Sequence, residues 1–352
     1  MEKPRFAFID VARGITILLV VAHHNPSLRI ALGERLFAGL GMARMPLFFF
    51  LSGLFLQPGQ PGQLRKRVVA LLKPYGAATV LFWLVYGASS GSPAQLVAGA
   101  LWANGATIID LPLWFLPHLC LASVMAIGLA RWLRLRPVAG MARNWLVVAA
   151  LFAGGVLMIG RVKGVELPVA GWMDWLPWGL DISLLSSALL LAGFSLRQPV
   201  LEGRLWKIAG LLGGLVLAAV MVWSDARLDM DQRILRQPLL VLAGSAGGIS
   251  AGLGLARWIA GWPRVGAALS WVGKRSLLLL VFHYPMWDLA MALVGKQMAA
   301  QQPAAFGWLT YWLTLGLCLA LDVAWQATKN GRVGERMLMM VKRLDGSRQQ
   351  NA

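Results

Sequence analysis

The sequence is short of acid. Fifteen Asp and Glu stand against 33 Lys and Arg, a formal net charge of +18, and charged residues of both signs make up only 14% of the chain. A soluble globular domain carries roughly 25%, so the deficit argues against a water-soluble fold. The two cysteines, Cys120 and Cys318, sit in separate apolar runs, which excludes a disulfide framework and a thiolate metal site and leaves them as ordinary buried residues. There is no Gly-rich phosphate loop and no HExxH. No metal and no permanently bound cofactor is therefore expected. No loop is long enough to be a soluble domain, and neither an internal repeat nor a low-complexity segment is present.

What the chain has instead is grease. Hydrophobic residues are 58% of the total and the mean hydropathy is +0.64, which points to an all-α, polytopic bundle of transmembrane helices forming a single domain. Apolar runs of about 20 residues give ten spans, near 6–25, 35–56, 68–87, 112–133, 144–160, 178–196, 206–223, 237–260, 276–294 and 306–327. The segment 88–111 is too weakly apolar to cross and is placed in the interface. Lys3 and Arg5 precede the first run as in a secretory signal, but Asp10 and Arg13 interrupt that run and no cleavage site follows, so it reads as a retained span. Gly244, Gly248 and Gly252 make a small-residue stripe that suits close helix packing.

Ten spans put both ends of the chain on one side. When cations at span ends are counted with the adjoining loop, 22 of the 33 Lys and Arg fall on that side, the basic tail 328–352 included, and 8 on the other. Lys and Arg concentrate in cytoplasmic segments, so both termini are expected in the cytoplasm. The same pattern accounts for the positive charge without nucleic acid as a partner. Trp172, Trp175 and Trp178, on the opposite side, suit a membrane boundary and could alternatively stack on sugar rings.

The polar residues inside the spans carry what chemistry there is. The first span contains Asp10, Arg13, His23 and His24. At about 100° per residue Arg13 and His24 lie about 20° apart around the axis, with Asp10 within about 60° of both, while His23 points elsewhere. Intramembrane charges persist mainly where they face a bundle interior or a watery cavity, so the stripe reads as a functional site. The bland alternative is an Asp10–Arg13 pair that anchors the helix. Arg44 precedes Met45-Pro46-Leu47-Phe48-Phe49-Phe50-Leu51-Ser52-Gly53. A buried guanidinium fits an anionic ligand or, equally well, a carboxylate on another span such as Asp181 or Asp322. His118 reads more readily as a packing residue; His283, beside Pro285 in the ninth span, is evenly poised between packing and function.

These residues also fall into an ordered set of motifs. Asp10-x-x-Arg13-Gly14 is followed by His24, then by Pro46 to Gly53, the basic LRKRVVALLKPY from Leu64 to Tyr75, Trp114-Phe115-Leu116, and Gly273-Lys274-Arg275-Ser276 leading to His283 and Pro285. In this order the chain resembles the acyltransferase 3 family of integral membrane O-acyltransferases over nearly its whole length. The resemblance implies a bacterial inner-membrane enzyme that takes an acyl group, commonly acetyl, from cytoplasmic acyl-CoA and passes it to a hydroxyl on a cell-envelope glycan or glycolipid. It makes His24 the leading catalytic residue, with Asp10 and Arg13 in the same motif. Two departures stand out: Ala70 occupies a position where some members carry a second arginine, and no hydrolase-like domain follows the tenth span.

The combined expectation is that acyl-CoA phosphates meet Arg13 with Arg65, Lys66 or Arg67, and that the thioester reaches His24. An imidazole there can act as general base or accept the acyl group itself. Arg44, Ser52, Trp114, His118 and His283 are the candidates for substrate binding or transition-state support. The competing readings are a secondary transporter of a small anionic or acylated solute, which would also place charges at midplane, and a structural membrane protein, which would not need a polar stripe. The acceptor and the oligomeric state are not legible in the sequence.

Overall fold

The computed structural model describes residues 6–87, 92–137, 141–162, 175–203 and 206–330. Trp172 and the tail beyond 330 lie outside them. Taken in chain order, the described helices are α1 (Ala7–His23), α2 (Pro26–Leu32), α3 (Glu34–Gly53), α4 (Gln63–Tyr86), α5 (Pro93–Trp102), α6 (Phe115–Trp132), α7 (Ala142–Val162), α8 (Leu180–Ser195), α9 (Arg197–Glu202), α10 (Trp206–Trp223), α11 (Pro238–Ala260), α12 (Pro263–Lys274), α13 (Ser276–Val294), α14 (Lys296–Gln301) and α15 (Pro303–Asn330). Single 3-10 turns precede α6 and α8, and a short antiparallel hairpin joins β1 (Arg227–Asp229) to β2 (Ile234–Arg236).

Nine of these helices are long and apolar enough to cross a membrane, or ten spans if the bent pair α1–α2, with 98° between its axes, counts as one. With ten, residue 330 returns to the side of residue 6. That side is the terminus side here, and the other the distal side. The windows of α3, α6 and α8 are about 70% buried, whereas those of α4 and α7 are only 17% buried; the former build the middle of the bundle and the latter turn their side chains outward. Small residues set the spacing. A Cβ at Gly53 would collide with the Leu190 carbonyl and one at Gly193 with the Phe50 carbonyl, so α3 and α8 touch backbone to backbone. The stripe Gly244, Gly248 and Gly252 seats α11 on Met42, Ala43 and Leu47 of α3, the packing role expected of it.

Several local features depart from the sequence reading. The third span begins at Gln63, so Arg65, Lys66 and Arg67 are helical and not loop residues. The segment 88–111 contains α5, started by a Ser92–Gln95 capping box; its 10 residues span about 15 Å, half a hydrocarbon core. The connection between the eighth and ninth spans is folded into α12, whose Gly273 abuts the Asp10 carbonyl of α1. The distal connection 224–236, read as a loop, closes into the β1–β2 hairpin.

Candidate active site

α1 ends at His23, and His24 is its C-cap, with φ −81° and ψ 3°. The next residue fixes the turn. The Asn25 Oδ1 accepts the Leu28 backbone N–H at 3.0 Å, which caps α2, while its Nδ2 donates to the Gly307 carbonyl (3.0 Å) and to Thr310 Oγ1 (2.9 Å) on α15. Pro26 at the first position of α2 needs no N–H partner and favours the helix start. Gly307 lets α15 approach this corner, since a Cβ there would overlap the Leu28 backbone.

The corner presents His24 to His283 of α13. The His283 Nδ1 lies 2.8 Å from the Leu279 carbonyl and 3.1 Å from that of Leu280, and its Nε2 lies 3.0 Å from the His24 Nδ1. Carbonyls only accept, so the His283 Nδ1 carries a proton. In the neutral imidazole its Nε2 is then an acceptor, which requires the proton of His24 on Nδ1. His24 is left with an unprotonated Nε2.

That ring lines a cavity of about 370 Å³ on the distal side, within the range typical of small-ligand sites. Its walls come from α1, α2, α3, the turn before α6, the hairpin and α13. His23 lines it too, its ring edge-on to His24 with centroids 5.4 Å apart, and its Nδ1 is buried without a hydrogen-bond partner among the described residues. His23, expected to point elsewhere, thus shares the cavity with His24, because the cavity lies across the end of α1 and takes in both residues there. Trp114 also contributes to the wall.

Arg44 enters the same cavity and is 6% exposed. Neither carboxylate suggested as its partner is available. Asp181 is held by Arg233 (Nε–Oδ2 2.8 Å, Nη2–Oδ1 3.2 Å), and Asp322 accepts from Arg275 and Gln326. The acidic residues in the cavity come from a stretch the sequence analysis did not single out, Asp229 and Asp231 on the hairpin, together with Glu34. Burial pushes the Asp231 carboxyl above the usual range, against the opposing effects of its Gln232 hydrogen bond and the charges of Arg233 and Arg44. The only cue for these residues was a cluster of charge, RLDMDQR from Arg227 to Arg233, in a connection between spans. Near the rim, Asp110 is 4% exposed, and burial with the neighbouring Asp288 charge pushes its carboxyl up to about 8.

The remaining candidates lie elsewhere. Both histidine nitrogens of His118 are engaged, Nδ1 with the Trp178 carbonyl (3.0 Å) and Nε2 with Ser186 Oγ (2.7 Å), between the rings of Phe49 and Trp114. It is a packing residue outside the cavity lining. On the terminus side, Arg13 pairs with Asp10 at 3.8 Å and lies over the Phe55 ring. Arg67 donates to the Ser52 carbonyl (2.7 Å) and to Ser123 Oγ (3.1 Å), so it ties α4 to α3 and α6, and Ser52 serves it through its backbone rather than facing the cavity. Arg65 and Lys66 are exposed. No group of three His, Cys, Asp or Glu that could hold a metal occurs among the described residues.

The described residues thus form a helical membrane domain in which an imidazole pair adjoins a charged cavity. A family model described as an acyltransferase domain, acyltransferase 3, matches residues 6–323, and the chain belongs to that family. The protein is therefore a multi-pass membrane acyltransferase. No curated protein and no solved structure matches it.

Proposed function

We propose that this acyltransferase moves an acyl group, acetyl in the simplest case, from acyl-CoA to a hydroxyl held in the distal cavity, with His24 as general base. The observation that carries the reading is the relay Leu279 C=O, His283, His24. It fixes the tautomer that leaves the His24 Nε2 lone pair for the cavity.

Nε2 takes the proton of the acceptor hydroxyl as its oxygen attacks the thioester carbon. The resulting tetrahedral oxyanion collapses with cleavage of the C–S bond, and the imidazolium returns its proton to the departing thiolate, which leaves as CoA. His283 accepts the His24 Nδ1 proton in a hydrogen bond throughout and steadies the imidazolium; it is a positioning residue. The acyl-CoA enters from the terminus side, where Arg13 and the exposed Arg65 and Lys66 can meet its phosphates. Arg67, held by Ser52 and Ser123, shapes that entry. The bias of Lys and Arg toward the terminus side supports cytoplasmic termini. That orientation places the donor in the cytoplasm of a bacterial inner membrane and faces the cavity outward, toward envelope glycans or glycolipids.

The test is CoA release from acetyl-CoA by purified protein in nanodiscs, with His24→Ala alongside. General-base catalysis is worth about 10² to 10⁴-fold, and a loss of that size is expected. An undiminished rate in the mutant would overturn the assignment; solute transport by the wild type without thioester turnover would favour a transporter.

A further inference from the structure

We propose that Arg44 is an anion-recognition residue, and that the cavity takes an acceptor bearing a carboxylate or phosphate group beside the hydroxyl to be acylated. This rests on the reading of the cavity as the acceptor site.

Arg44 makes no hydrogen bond and no ion pair with any described residue, although it is 6% exposed, and its Nη1 is completely buried. Four other described arginines, two of them in the cavity wall, have a carboxylate partner. Arg29 and Arg227, which line the same cavity, have Glu34 at 2.7 Å and Asp229 at 4.0 Å. The buried Arg233 has Asp181, and Arg275 has Asp322. The Asp229 and Asp231 charges reach it only from a distance, with no bond formed, and a guanidinium taken out of water without a bonded anion is costly. The free energy is recovered when a ligand oxyanion occupies its planar fork.

The remaining acids of the cavity do not fill that place. Asp229 accepts the Gln232 backbone N–H and faces Arg227, and Asp231 accepts from the Gln232 side chain. Both remain available to accept hydroxyls of a polyhydroxylated ligand with their spare lone pairs. The position of Arg44 is itself fixed. Ala43 is wedged against Gly248 and Met42 against Gly244, so α11 holds this turn of α3, and with it the Arg44 backbone, in place. A built cation, acids able to take hydroxyls, and the His24 base in one space of about 370 Å³ describe a site for an anionic sugar derivative.

The same guanidinium could instead meet only the transient oxyanion of the reaction, and the experiment separates the two. Protein in nanodiscs is titrated by calorimetry with methyl glucoside, methyl glucuronide and glucose 6-phosphate in the absence of acyl-CoA. At least one charged probe is expected to bind tenfold or more tightly than the neutral one, and the better of the two identifies carboxylate or phosphate as the preferred group. Arg44→Gln is expected to bring the ratio within twofold, and Arg44→Lys to recover part of it. Unfolding of each variant is followed in parallel, and Arg44→Gln, which removes a buried charge that no anion bonds, is expected to be at least as stable as wild type. Equal affinities, or a preference that survives Arg44→Gln, would overturn the proposal. Because no turnover is needed, His24→Ala protein must show the same anion preference. Failure of the catalytic reading and failure of this one are thereby told apart.

Discussion

The two ends of α1 put charged and titratable groups into the membrane in opposite ways. At the terminus end Arg13 finds Asp10 one turn away on its own helix, and nearby Arg67 is closed off by Ser52 and Ser123. At the distal end His24 takes its partner from a helix 259 residues further on, and His23 and Arg44 line the cavity with the His23 Nδ1 and an Arg44 Nη1 unbonded among the described residues. The first arrangement is that of groups stabilised where they stand. The second leaves polar groups unbonded, at a cost in stability, which is what the proposed acceptor site would use.

The comparison breaks most visibly at the relay. His283→Phe removes the acceptor for the His24 Nδ1 proton, and turnover is expected to fall about 10²-fold or more. Gln, whose amide oxygen can take that proton, should restore part of the rate. A fall confined to KM would show that His283 merely packs. Next in size is the buried pair behind the hairpin. Arg233→Met leaves Asp181 uncompensated and is expected to cost about 3–5 kcal/mol in unfolding experiments, most of it recovered when Asp181→Leu is added. At the corner itself, Gly307→Ala presses a Cβ against the Leu28 backbone. About 1–3 kcal/mol of stability should be lost, with a drop in turnover as Asn25 and His24 shift.

A smaller effect concerns pH. The Asp110 carboxyl, pushed up to about 8, holds its proton more tightly in the folded protein than in the unfolded chain. Its contribution to stability is complete below about pH 4, is lost as the pH rises through about 8, and is flat beyond that. Asp110→Asn should remove this slope from an unfolding series. The smallest effect is expected at the mouth, where the Glu34 side chain is 57% exposed beside Arg29; Glu34→Gln should cost less than about 1 kcal/mol.

The span pattern was legible because lipid imposes it. A stretch that must satisfy its own backbone and bury about 20 apolar residues leaves a long, composition-level signal, and the helices fall close to the expected runs. The stretches that were misjudged are short and amphipathic. α12 and the β1–β2 hairpin are set by packing against α1 and by the Arg233–Asp181 pair, contacts between residues far apart in sequence. Among candidate residues, the sequence leaned toward packing for His118, whose ring nitrogens are both bonded, but had no means to choose between packing and function for His283. A histidine's role follows from which nitrogen is already bonded, and that information lies in another helix.

By itself, then, the sequence determined a bundle of nine or ten membrane-crossing helices and a first span carrying Arg13 and His24, because hydropathy and helical periodicity are local properties of the chain. Only the tertiary structure decided that His24 is tautomerically fixed by His283, that Arg44 is left without Asp181 or Asp322, and that the hairpin acids join them in one cavity. Hydrogen bonds and ion pairs act over a few ångströms. Which groups come that close was settled by the glycine contacts that set helix spacing and by the turn at Asn25, not by distance along the chain.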